Sequence, residues 1–95
     1  MRLAIHQINS IDRSVTENTA LLDRACADAR AGGADLVIFP EMALTGYNIG
    51  ADRNRELAQP SDGAMVQSLC EMARRHAIGV LCGFPEAKGT RVYNS

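Results

Sequence analysis

Apolar runs that read as strands alternate along the chain with longer segments of helical spacing. Residues 3–9, LAIHQIN, carry apolar side chains on both alternating faces, the pattern of a strand covered on both sides. The segment SIDRSVTENTALLDRACADARAGG then predicts a helix. Ser14 followed by Glu17 is a capping-box pattern. Val15, Leu21, Leu22, Ala25, Cys26 and Ala29 fall near one stripe, and Gly32-Gly33 supplies the stop. DLVIF, residues 35–39, is short and continuously apolar, as a central parallel strand would be. Strand–helix–strand in this order predicts a right-handed crossover between parallel strands.

Residues 41–62 are less regular, with a short helix in ADRNRELAQ. Residues 62–77 predict a second clear helix, capped by Ser61 or Asp62, with Met65, Leu69, Met72, Ala73 and His76 near one stripe. IGVLCGF, residues 78–84, is a third strand. PEAKGT reads as a turn in which Gly89 takes a positive φ, and RVYNS begins a fourth strand in which the chain stops. The expected fold class is therefore α/β and truncated.

Composition narrows the class. The 95 residues are 46% apolar and 22% charged, with ten basic against eleven acidic side chains, which is ordinary for a globular domain or part of one. This balance argues against nucleic-acid and membrane-surface partners. No apolar run approaches membrane-spanning length, and MRLAIHQINS is too short and polar for a signal peptide. The three cysteines are widely spaced with no C-x-x-C pair, so neither a zinc site nor a disulfide framework is expected; free thiols fit the cytoplasm. His6 and His76 are far apart, and no metal cluster is visible.

One residue stands out against the apolar pattern. Glu41 follows Phe39-Pro40 and precedes Met42-Ala43-Leu44. Pro40 ends the strand, which sets Glu41 just past the carboxyl end, where open α/β sheets bind ligands. Shielding by Phe39 and Tyr47 would disfavour the charged carboxylate and let the group take and give a proton near neutral pH. The plainer alternative is a solvated loop glutamate, or one that satisfies nearby N–H groups.

GADLVIFPEMALTGY resembles the segment around the first catalytic residue of the nitrilase, or carbon–nitrogen hydrolase, superfamily. AIHQIN, DGAMVQSLCEMARRHAIGVLCGFPE and RVYNS are similar to that family's opening strand, second helix with third strand, and next strand, in the same order. The resemblance implies an α-β-β-α sandwich, here partial, its mixed sheet carrying helices on one face. It implies a cysteine hydrolase with a Glu–Lys–Cys triad, a thioester intermediate and no metal or organic cofactor. Glu41 takes the place of the catalytic glutamate, and Tyr47 that of a substrate-pocket residue, with plain packing as its alternative. The implied substrate is a small amide, carbamoyl compound or nitrile, and the implied full-length protein is a homo-oligomer.

The family's lysine and cysteine lie downstream of the Y-N-S segment, beyond this chain. Cys26, Cys70 and Cys82 do not match the nucleophile's motif and read as small buried hydrophobes. Lys88 reads as a solvated turn lysine, and Glu86 is assigned no chemistry. His6 reads as a satisfied core side chain, and His76 as a helix C-terminal residue that complements the dipole. The competing class is a non-catalytic α/β piece stable only with a partner. A flavodoxin-like binding domain is disfavoured, because INSIDRS contains no glycine to cradle a phosphate.

Overall fold

Ser14 starts the first helix as its sequence predicts. In the computed structural model, which describes residues 1–95, the Ser14 hydroxyl accepts from the Glu17 N–H at 3.1 Å. The Glu17 carboxylate accepts in turn from the Ser14 N–H at 2.8 Å. Helix α1 then runs Val15–Ala31 and stops at Gly32. It links strand β1, Leu3–Ile5, to β2, Leu36–Ile38. A short helix α2, Ala51–Leu57, precedes α3, Ala64–His76, which leads into β3, Gly79–Leu81.

The three strands pair in parallel in the order β1-β2-β3, so β2 is central. Ala4, Val37 and Val80 are in register and pack into one core with Leu22, Ala25 and Cys26 of α1 and Met65, Leu69 and Met72 of α3. Both long helices therefore cover the same face, as two successive crossovers of one hand require.

The other face is bare. The rows Leu3–Leu36–Gly79 and Ile5–Ile38–Leu81 alternate with the core row, and Leu3, Ile5 and Leu81 are 52%, 73% and 54% exposed. Apolar residues on both faces of the first strand had suggested cover on both sides; within these 95 residues only one face has it.

Two local expectations are corrected. Neither Ser61 nor Asp62 caps α3. Gly63 is the cap residue and lends no side chain, and Gln59 Oε1 accepts from the Met65 N–H at 2.8 Å instead. The Gln59 backbone meanwhile bonds Pro85 and Ala87, so one residue ties the start of α3 to the next strand. PEAKGT is more than a turn. Pro85–Lys88 forms β4, which pairs antiparallel with β5, Arg91–Asn94, across a two-residue turn at Gly89-Thr90. Gly89 has φ 61°, which suits the first central position of a tight hairpin turn. The result is a separate two-stranded sheet beside the parallel one, in place of a single mixed sheet.

Candidate active site

The polypeptide leaves the central strand through Phe39, whose N–H donates to the Leu81 carbonyl at 2.9 Å. Phe39 is buried, and the His6 ring meets it edge-on with centroids 5.8 Å apart. Pro40 then ends the pairing. Glu41 follows, three residues beyond Ile38, so the carboxylate stands at the carboxyl end of the central strand.

Directly after Glu41 the chain reverses. Met42 has φ 55°, a left-handed conformation that costs a side-chain-bearing residue about 1–2 kcal/mol and persists only where the surroundings impose it. The Thr45 and Gly46 N–H groups both donate to the Met42 carbonyl, at 3.2 and 2.8 Å. The turn buries Met42, Ala43, Leu44 and Thr45 against the core.

Two side chains hold this turn from behind. Ser10 Oγ donates to the Ala43 carbonyl at 2.5 Å. Asn18 Nδ2 donates to the Leu44 carbonyl at 3.0 Å and to the Ser10 carbonyl at 3.1 Å. Gly46 has φ 98°, and a Cβ there would lie 2.9 Å from Ile11 Cα, so only glycine fits. Gly83, after β3, is equally close: its Cβ would lie 3.2 Å from Glu41 Cα and 3.4 Å from the Met42 nitrogen. At the front, the Asn94 side-chain amide of β5 donates to Glu41 Oε1.

Glu41 itself is exposed and Tyr47 is 63% exposed. The expected shielding by Phe39 and Tyr47 is absent. The turn places residues 42–46 on its inner side and leaves 41 and 47 outside, while Phe39 is engaged with His6 in the core. The chain thus presents the carboxylate on a well-fixed backbone without enclosing it.

The thiols take three different settings. Cys26 is fully buried, and loss of solvent pushes its thiol up to about 11, aided by the nearby Asp23 charge. Cys82 is half-buried, and desolvation likewise pushes it up to about 11. Both are protonated at neutral pH and poor nucleophiles. Cys70, expected to be buried, is exposed on α3: it follows Leu69, which takes the inward position. Lys88 is exposed at the end of β4, and Glu86 accepts from Ser95 Oγ at 2.7 Å. His6, expected to be a satisfied core side chain, is only half-buried, lies just past β1, and packs its ring against Phe39 with no side-chain hydrogen bond. His76, at the end of α3, lies 2.8 Å from Asp23 Oδ1 of α1, where Arg75 also donates at 2.5 Å. No three His, Cys, Asp or Glu side chains converge as metal ligands, and no helix is long and apolar enough to cross a membrane.

Sequence reading missed Ser10, Asn18, Gly83 and Asn94. For Asn18 a signal was present: it lies three residues after Val15 and four before Leu22, a polar side chain on the apolar stripe.

Residues 2–95 match the family model described as carbon-nitrogen hydrolase. The chain is 33% identical over 96 residues to the "Hydrolase in pqqF 5′region" of Pseudomonas protegens, covering all of this chain and 33% of the relative. It is 32% identical over its whole length to an (R)-stereoselective amidase of a Pseudomonas species, covering 34% of that protein. A crystal structure of an amidase from Nesterenkonia sp. superposes with a TM-score of 0.79 at 25% identity, over 94% of this chain and 34% of the other. Another structure, of the amidase from Nesterenkonia sp. AN1, is a glutamate-to-glutamine variant showing Michael addition of acrylamide at the active-site cysteine. The chain spans about a third of the length of the relatives it matches. With all but its first residue matched to the family model, the chain belongs to the carbon-nitrogen hydrolases.

Proposed function

We propose that these 95 residues are the opening portion of a cysteine amidohydrolase that cleaves a small non-peptide C–N bond, in an aliphatic amide, an N-carbamoyl amine or a nitrile. Glu41 is its general base and acid, and Tyr47 lines the substrate pocket. The nucleophilic cysteine and the oxyanion-stabilising lysine come from outside this chain, because Cys26 and Cys82 are held as thiols and Cys70 lies on α3. The observation that carries the reading is the carboxylate fixed at the carboxyl end of the central strand, on a turn braced by Ser10 and Asn18.

For an amide or carbamoyl substrate the thiol proton passes to the Glu41 carboxylate as sulfur bonds to the carbonyl carbon. The lysine stabilises the oxyanion as it forms. The C–N bond then breaks, and the nitrogen leaves with the proton that Glu41 returns. Water gives a proton to Glu41 as it attacks the thioester, and the departing sulfur recovers that proton. The chemistry calls for no metal or organic cofactor. The substrate is a small molecule, nucleic acid and membrane play no part, and the full-length enzyme works in the cytoplasm as a homo-oligomer.

The test is Glu41→Gln in the full-length enzyme. The amide keeps the shape but cannot accept the thiol proton. A positioned base or acid contributes about 10²–10⁴-fold, and Glu41 serves both half-reactions, so kcat should fall toward the upper end of that range. Glu86→Gln, whose partner is Ser95, should change kcat little. A folded Glu41→Gln that keeps more than about a tenth of kcat would remove Glu41 from the mechanism.

The bare sheet face favours one other reading, a non-catalytic α/β piece that is stable only with a partner. A chain that ends at Ser95 in the organism, and shows no hydrolysis when joined with its partner, would support that reading over the first.

A further inference from the structure

We propose that Asn94 is a positioning residue for Glu41, selecting the carboxylate orientation used in proton transfer; this rests on the reading of Glu41 as general base. The Asn94 amide donates to Glu41 Oε1. Its backbone is placed independently of that bond. Asn94 stands opposite Pro85 in the antiparallel hairpin, and Phe84 and Ser95 exchange both backbone hydrogen bonds, at 2.8 and 3.1 Å. Gly83 closes the arrangement. A Cβ at that position would lie 3.2 Å from Glu41 Cα and 3.4 Å from the Ser95 carbonyl oxygen. The end of β5 and the Glu41 turn therefore meet across a residue with no side chain.

A primary amide suits this task. Glu41 is exposed, so without an anchor its carboxylate would spread over several rotamers. One amide N–H fixes one oxygen and leaves Oε2 to exchange a proton. The amide has no proton of its own to lose near neutral pH, so it orients the base without competing with it. Orientation of a reacting group is itself a source of rate.

The experiment measures kcat and KM of the full-length enzyme on propionamide for Asn94→Ala, Asn94→Asp and Glu41→Gln. Asn94→Ala should lower kcat about tenfold, as for one solvent-accessible hydrogen bond to a charged group, with KM little changed. Asn94→Asp keeps the shape but faces Glu41 with a second carboxylate. It should fall below Asn94→Ala at neutral pH and recover in part as the pH is lowered enough to protonate the new group. A residue needed only for its shape would instead tolerate Asn94→Asp better than Asn94→Ala. A readout without turnover is the Asn94 side-chain amide NMR signal, which should move in Glu41→Gln and stay in Glu56→Gln. Wild-type kcat in Asn94→Ala, a loss confined to KM, or an unmoved amide signal overturns the proposal while Glu41→Gln remains inactive. An active Glu41→Gln overturns the reading of Glu41 and this proposal with it.

Discussion

Asn18 holds Leu44 across the molecule: fully buried in the first turns of α1, its Nδ2 donates at 3.0 Å to a carbonyl in the turn that carries Glu41. The same nitrogen donates to the Ser10 carbonyl, so one amide fastens two loops at the carboxyl end of the sheet.

Asn18→Leu keeps the branched heavy-atom shape and removes both hydrogen bonds that Nδ2 donates. Two buried carbonyls would lose their partner, at about 1–3 kcal/mol each, for a total destabilisation of roughly 2–4 kcal/mol after partial relaxation. Thr19→Ala is the control. Its hydroxyl bonds only back to the Val15 carbonyl of its own helix, so the change should stay within about 0.5 kcal/mol. Urea denaturation of both variants gives the comparison, and equal midpoints would show that the amide fastens nothing.

Gly83→Ala should destabilise although nothing about the backbone there demands glycine; the obstacle is space. The new methyl meets backbone on both sides, Glu41 Cα at 3.2 Å and the Met42 nitrogen and Ser95 oxygen at 3.4 Å. Backbone cannot rotate away as a flexible side chain can, so the cost should be about 1–3 kcal/mol. With Glu41 as the general base proposed above, kcat of the full-length protein should fall as well, since the displaced atom belongs to Glu41. A thermal midpoint and kcat both equal to the parent's would mean the two segments part without effect.

Ala77→Gly should act in the opposite direction. Ala77 ends α3 with φ 50° and ψ 50°, and the Ile78 N–H reaches back to the Ala73 carbonyl at 3.1 Å, as at a left-handed helix terminus. Glycine takes that conformation without the side-chain penalty, so stability should rise by about 1 kcal/mol despite the greater freedom of the unfolded chain. Calorimetry on the parent and variant measures it, and a lowered midpoint would contradict the assignment of strain to this residue.

Asp23 ties α1 to α3, and its contribution should depend on pH. The Arg75 guanidinium first, and the His76 ring second, hold its carboxyl below its ordinary value of 3.8. A carboxyl depressed in the folded state contributes stability above its unfolded value and loses it as pH falls through the folded one. Asp23→Asn should therefore be less stable than the parent at pH 7, and the gap should close as the pH drops below about 4. Over a third of this side chain is exposed, so the gap at pH 7 should be only about 0.5 kcal/mol. Paired denaturation curves across pH 2–7 test it; a gap that widened in acid would reverse the sign.

The elements were legible where punctuation and periodicity agreed. The Ser14–Glu17 box, the Gly32 stop and the continuous apolar run before Pro40 each act within a few residues, so sequence spacing alone marks them. The start of α3 was not legible because its N–H group is satisfied by Gln59, outside the helix and four residues before its Gly63 cap. The position of Glu41 past the central strand was readable from Pro40. Its exposure was not, since whether a turn faces inward depends on the φ of Met42 and on Asn18 and Ser10, which meet the turn from distant positions. Asn94 was quoted only as part of a resembling word, and nothing in its spacing links it to a carboxylate 53 residues away.

The uncovered sheet face gives a prediction whose sign depends on what surrounds it. Ile5 and Leu81 flank Ile38 in one row across the strands and are 73% and 54% exposed. A contiguous apolar strip on a small domain favours association. Residues 1–95 on their own should therefore self-associate, and the double substitution Ile5→Lys with Leu81→Lys should shift them toward monomer. Because both side chains face water in this chain, the substitutions should alter its stability by no more than about 0.5 kcal/mol each. In a full-length sandwich, where a second layer would cover that face, the same lysines would be buried without partners, and the cost should exceed about 4 kcal/mol in total. Sedimentation velocity over a range of concentrations reads the first effect, and denaturation of the full-length variant reads the second. A full-length double variant as stable as its parent would mean that the row stays in water there too, and the sandwich arrangement would fail for this protein.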